Sequence, residues 1–184
     1  MSALSPFLYM EYGDSCSCPD AYSGAVTWGF HRRSLMDRVR ILIVDDHEIF
    51  RRGLRSLIEP LAQFQICGEA ANGLEAVEKA KELLPDVILM DISMPQIDGL
   101  QATKIIRSEA PESRILILSQ HDSPHMLSAA LKAGASAYVT KSQISRSLLQ
   151  ALDSVVRGRS FAWNAEGTRD ASARVEADPE LKTE

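Results

Sequence analysis

Residues 86–99 read Asp86-Val-Ile-Leu-Met-Asp91-Ile-Ser-Met-Pro95-Gln-Ile-Asp98-Gly99, and the change of character at Asp91 decides the fold. Val87 to Met90 is an unbroken apolar run, which suits a parallel strand covered by helices on both faces better than a half-exposed strand of alternating polarity. The run ends on an acid. A carboxylate at the end of a buried strand loses hydration, and only a pairing cation or a metal offsets that cost. Loop chemistry follows at once: Pro95 fixes its own φ and lacks an N–H, Asp98 can cap the next helix, and Gly99 allows close backbone approach. Taken alone, the segment also fits an ordinary strand-to-loop junction with a capping Asp.

Outward from this stretch the chain alternates regularly. Strands are expected at Val39–Val44, Phe64–Ala71, the run into Asp91, Arg114–Ser119 and Ala135–Val139. Between and after them lie helical patterns. His47–Glu59 repeats Phe50, Leu54, Leu57, Ile58 and Leu61 at helical spacing, and Pro60 closes it. Gly73–Leu84 carries Leu74, Val77, Ala80 and Leu84 as its expected inner face. Leu100–Glu109 and Pro124–Ala133 follow, the latter with Pro in its first turn. Ile144–Arg157 places Ile144, Leu148, Leu149, Leu152, Val155 and Val156 on one stripe, with Gly158 as its stop. Five strands alternating with five helices through short loops call for an α/β doubly wound parallel sheet with right-handed crossovers.

Composition sets the outer limits. At 184 residues and 45% hydrophobic, the chain can bury one good core and little more. A net charge of −5 argues against a nucleic-acid surface spread over the whole chain, though a local basic patch would survive that average. No apolar run is long enough for a membrane span, and residues 1–36 lack the pattern of a secretory signal. Three cysteines give no disulfide framework, so a cytoplasmic location is expected. Residues 1–36 show no helical or strand period and read as a disordered N-terminal extension. Cys16 and Cys18 lack a second metal-ligand pair at matching spacing. The sequence from Met36 looks like a natural protein start. Residues 37–160 form the folded domain, and 161–184 read as a disordered C-terminal tail.

In a doubly wound sheet, ligands bind beyond the carboxyl ends of the strands, near the point where strand order reverses. Asp45 and Asp46 end the first strand, Asp91 the third and Ser119 the fourth, while Lys141 closely follows the fifth. Singly these are unremarkable: an N-cap, a strand terminus, a solvated lysine. Together they converge on one edge. Three crowded carboxylates raise one another's pKa unless a cation neutralises them, which implies a hard divalent ion with oxygen ligands, Mg²⁺. A hydroxyl and an ammonium beside such an ion suit the oxygens of a phosphoryl group in transfer. Asp91 is then the expected nucleophile, forming an acyl phosphate.

Ile43-Val44-Asp45-Asp46-His47, the stretch Asp91–Gly99, Leu118-Ser119 and Ala137-Tyr138-Val139-Thr140-Lys141 together resemble the receiver domains of two-component response regulators. The resemblance runs from about Val39 to Ser160, roughly two thirds of the chain. It implies a flavodoxin-like (βα)5 fold, and the strand order 2-1-3-4-5 is carried over from the family. It further implies that Asp91 is the phosphoacceptor for a sensor histidine kinase. Asp46 and Asp91 would bind Mg²⁺ directly, Asp45 through water, and the Ser93 backbone carbonyl would complete the protein ligands. Lys141 and Ser119 would contact the phosphoryl oxygens, with Ser119 and Tyr138 as the switch pair. His47 and His121 are expected to border the site rather than to ligate metal.

Ser142 stands where many receivers have Pro after the lysine. Thr140-Lys141-Ser142 and Gly158-Arg159-Ser160-Phe161 look most like the nitrate-regulator subfamily, whose receivers precede a DNA-binding helix-turn-helix. Past Phe161 no two-helix apolar pattern is legible, so the expectation is a stand-alone receiver or a shortened regulator. Output would then be a homodimer or a protein effector, engaged through the fourth helix, fifth strand and fifth helix, with no DNA-binding domain and no membrane. Such a protein is no enzyme beyond phosphorylation and dephosphorylation of its own Asp91. Two other readings remain: a truncated DNA-binding transcriptional regulator, and an aspartyl-nucleophile phosphatase of the haloacid dehalogenase type. The latter spaces its first-strand acids two residues apart, whereas Asp45 and Asp46 are adjacent.

Overall fold

The computed structural model describes residues 38–159, 161–164 and 167–169. The expectations for residues 1–36, Cys16 and Cys18 among them, lie outside the described residues. In chain order the elements are β1 (Val39–Val44), α1 (Glu48–Ile58), β2 (Phe64–Ala70), α2 (Gly73–Leu83), β3 (Val87–Asp91), α3 (Gly99–Glu109), β4 (Arg114–Ser119), α4 (Pro124–Lys132) and β5 (Ala137–Thr140). A 3₁₀ turn at Lys141–Gln143 leads into α5 (Ile144–Val156), followed by β6 (Phe161–Asn164) and β7 (Gly167–Arg169). The sheet order is β2-β1-β3-β4-β5-β6-β7. The five expected strands are thus parallel in the order 2-1-3-4-5.

The strand period of two explains how one apolar run feeds two cores. Along β3, Ile88 and Met90 join one cluster with Ala76, Ala80, Ala102, Ile106, Leu127 and Ala130, while Val87 and Leu89 join another with Leu54, Ile58, Leu148 and Leu152. Hence α2, α3 and α4 cover one face and α1 and α5 the other, and all five residues of β3 are buried. Asp91 lies at the carboxyl end of this doubly covered strand, directly at the switch between β1 and β3.

Several helical phases differ from the expected ones. Leu74 and Leu84 are exposed, not inward, whereas Ala80 is buried as expected, together with Gly73 and Ala76. Leu84 is the C-cap in a left-handed conformation, and Pro85 behind it disfavours a further helical residue. On α1, Leu57 is exposed, and on α5 so are Leu149 and Val156. The fifth strand begins at Ala137, not Ala135, because Gly134 at φ 99 turns the chain so that the Ala135 N–H bonds back to Ala130.

The largest departure concerns the C-terminal side. Residues 161–164 and 167–169, expected in a disordered tail, are strands. β6 pairs in parallel with β5 through Ala137↔Phe161, Tyr138↔Ala162 and Val139↔Trp163, and β7 returns antiparallel. Without β6, β5 would be an edge strand with open backbone donors and acceptors, which pairing with a following segment satisfies. A four-residue strand carries too little period to be read against a polar background.

Candidate functional site

Three strand ends build the site. At the end of β1, Asp45 is fully buried and each of its polar groups has a protein partner. Its N–H donates to the Ala70 carbonyl at 3.1 Å, and its own carbonyl accepts from Arg51 Nη1 at 2.7 Å. Oδ1 accepts from the His47 N–H at 2.8 Å, and Oδ2 from Lys141 Nζ at 2.6 Å. Asp46 is exposed, and its Oδ1 lies 2.7 Å from His47 Nδ1. At the end of β3, Asp91 is 1% exposed and meets Lys141 Nζ at 3.0 Å.

Lys141 therefore bridges the two buried acids from the 3₁₀ turn after β5. Its Nζ also lies 4.4 Å from the centroid of the Phe50 ring on α1, so the charge rests against a π face on one side and two carboxylates on the other. Burial pushes the Asp91 carboxyl above its ordinary range, Lys141 pulls it back down, and the Asp45 charge adds to the upward push. A ligand atom each from Asp45, Asp46, His47 and Asp91 lies within 4.8 Å of all the others. Three carboxylates in mutual reach are hard oxygen donors, the set that a Mg²⁺ ion takes, and the charge they share favours a divalent cation. Ser93 sits in the loop two residues past Asp91, on the exposed side.

The loop after β3 is shaped by its backbone. Asp98 caps α3 by accepting from the Gln101 N–H at 2.7 Å, and Gly99 N–H donates to the Ile92 carbonyl at 2.9 Å. These bonds fold the loop back onto the strand end that carries Asp91. Gln96 takes a left-handed φ of 71° in this turn.

Ser119 and Tyr138 meet at one loop residue. Ser119, 1% exposed at the end of β4, accepts from the His121 N–H at 3.1 Å. Tyr138 is 2% exposed, turned into the cluster with Leu127 and Ala130, and its hydroxyl donates to the His121 carbonyl at 2.5 Å. Burial pushes the Tyr138 phenol upward, so it remains a donor at neutral pH. The structure thus brings Asp45, Asp46, Asp91 and Lys141 together and ties Ser119 to Tyr138 through His121. Sequence reasoning missed Phe50 and Arg51. Both lie on an amphipathic helix, where an aromatic reads as core and an arginine as a solvated charge.

Residues 41–153 match the family described as the response regulator receiver domain. Among curated relatives, the transcriptional regulatory protein YdfI of Bacillus subtilis is 43% identical over 119 residues, covering 65% of this chain and 55% of the relative. A LuxR-family two-component response regulator from Aurantimonas superposes with TM-score 0.68 at 36% identity, covering 77% of this chain and all of that one. The response regulator domain of Thermotoga maritima CheB gives TM-score 0.62 at 34% identity, covering 66% of this chain and 98% of that one. The chain spans about half the length of the curated relatives it matches.

Proposed function

Because the chain belongs to the response regulator receiver domain family, we propose that it accepts a phosphoryl group on Asp91 from a sensor histidine kinase and uses that group to switch a protein-interaction face. The observation that carries this reading is Asp91 itself: a buried carboxylate at the end of the central strand, 3.0 Å from Lys141 Nζ and within reach of two further acids. A buried acid held against its desolvation by one ammonium is poised for attack on a phosphoryl electrophile once a divalent cation offsets the negative charge that group adds.

Lys141 holds Oδ1 of Asp91, which leaves the other carboxylate oxygen to attack the phosphorus of a phosphohistidine. The P–N bond breaks as the P–O bond forms, and the departing imidazole keeps the electron pair and takes a proton. Asp46 and Asp91 would hold Mg²⁺, with Asp45 acting through water and the Ser93 carbonyl completing the set. When bound, the ion offsets negative charge on the phosphoryl oxygens. Lys141 and the Ser119 hydroxyl donate to the same oxygens. The same chemistry would give self-phosphorylation from a small phosphodonor and hydrolysis of the acyl phosphate at Asp91.

Movement of Ser119 toward a phosphoryl group would alter its bond with the His121 N–H. Since Tyr138 is bonded to the carbonyl of that same residue, the movement is passed to β5 and to the loop before α4. The responding face is built from α4, β5 and α5, with β6 laid along the β5 edge, and it engages a second copy or a protein effector. No helix among the described residues is long and apolar enough to cross a membrane. Addition of beryllofluoride and Mg²⁺ tests the reading. Amide shifts reaching residues 119–141 support it, and shifts that stop at Asp91 would refute the switch.

A further inference from the structure

Arg51 lies in the first turn of α1, and it reaches back to the strand end. Its Nη1 donates to the Asp45 carbonyl at 2.7 Å, and its Nε meets Glu69 Oε2 on β2 at 3.0 Å. Glu69 is fixed in turn by Arg55, whose Nε and Nη2 approach Oε1 at 2.9 and 2.5 Å. Burial pushes the Glu69 carboxyl up, but the bonds from Arg55 and Arg51 outweigh it, and the group is held below its usual range. Arg51 is thus a charged fork with one tine on a clamped carboxylate and the other on the backbone of the acidic loop. An ion pair between helix and sheet would need only Glu69. The second bond, to a main-chain oxygen between two site acids, has a different consequence.

The Asp45 carbonyl belongs to the peptide that joins Asp45 to Asp46. Fixing that oxygen fixes the peptide plane and the direction in which the Asp46 side chain leaves the backbone. Asp45 needs no such help, since Ala70, His47 and Lys141 hold its N–H and both carboxylate oxygens. Asp46 stands at the exposed rim with His47. We propose that Arg51 is a positioning residue for the Asp45–Asp46 pair, pre-aligning Asp46 for the divalent cation by locking the intervening peptide through the Glu69 anchor. This rests on the reading of the acids as a Mg²⁺ site. Removing an outer partner of a metal site weakens affinity by about tenfold or more, because the ligands must then be ordered at the moment of binding.

The test titrates Mg²⁺ into the full chain, followed by calorimetry and by amide NMR shifts, for wild type, Arg51→Gln, Arg51→Lys and Ile106→Val, with thermal midpoints measured alongside. Ile106 is buried on the opposite face of the sheet, so it reports loss of stability alone. The expected result is a Mg²⁺ affinity lowered about tenfold in Arg51→Gln, partly recovered in Arg51→Lys, which keeps one donor, and retained in Ile106→Val. Arg51→Lys carries the comparison if Arg51→Gln fails to fold. Wild-type affinity in both Arg51 variants, or an equal loss in Ile106→Val, would overturn the proposal while leaving the Mg²⁺ site standing. No Mg²⁺ binding by the wild type would remove both.

Discussion

A methyl group on Gly99 would stand 1.9 Å from the carbonyl oxygen of Asp91, so the residue that opens α3 and the residue at the centre of the site share one backbone contact. Gly99→Ala must push the two main chains apart, at a cost of about 1–3 kcal/mol as overpacking. It should also slow phosphorylation, because Asp91 moves. Gly53 is the contrast, since a Cβ there meets nothing within 4 Å. Gly53→Ala in mid-helix should stabilise by about 0.5–1 kcal/mol. Urea denaturation of the two variants checks both signs.

Asp91 is held above its ordinary carboxylate range, chiefly by burial. A raised folded-state pKa means that the ionised form is less at home in the fold than in the unfolded chain. Stability from this group is therefore full at low pH and falls as pH rises through the folded pKa. Asp91→Asn should raise the unfolding midpoint at pH 7 in the presence of chelator, and the gain should vanish as pH approaches about 4. Thermal scans across that range decide it. A midpoint lowered at pH 7 would mean that the pair with Lys141 outweighs burial.

Glu75 has the opposite sign. Its Oε2 accepts from the Ala71 N–H at 2.7 Å while its own N–H donates to Oδ1 of the N-cap Asn72 at 2.9 Å, which ties the start of α2 from both sides of the cap. The backbone bond from Ala71, then Lys79, hold this carboxyl below its usual range. Its contribution is thus present above the unfolded value of about 4.3 and lost as pH falls through the lower folded value. Glu75→Gln should destabilise by about 1 kcal/mol at pH 7 and by less near pH 3, measured by denaturant midpoints at both.

β6 covers the outer edge of β5, which gives the segment after α5 a measurable role. In a chain ending at Arg159, the β5 amides that face β6 should exchange with deuterium faster, while those facing β4 stay protected. Unchanged protection along all of β5 would show that β6 adds nothing to this edge in solution.

How much of this was legible in the sequence follows from where each residue sits. Asp45, Asp46, Asp91, Ser119 and Lys141 could be grouped because strand ends are sharp: an apolar run stops on a polar residue, and parallel topology sends those stops to one edge. Gly99 was readable for a similar reason, as a glycine after a capping Asp. Helix phase was less secure. Leu74 and Leu84 fit a stripe by spacing with Ala80, but the stripe that α2 buries runs through Gly73, Ala76 and Ala80, small residues that a count of large apolar side chains passes over. Arg51 had no signal, because its bond to Glu69 joins α1 to β2 and its bond to Asp45 reaches a main-chain oxygen, which no side-chain pattern records. β6 was missed because its pairing with β5 is set by an open edge, which no local pattern records.

Whether Asp91 carries the phosphoryl group is decided by intact-mass spectrometry after incubation with acetyl phosphate and Mg²⁺. The wild-type chain should gain the mass of one phosphoryl group, the gain should be absent with chelator, and Asp91→Asn should gain nothing. Equal labelling of Asp91→Asn, or no labelling of the wild type with Mg²⁺ present, would rule out Asp91 as the phosphoacceptor.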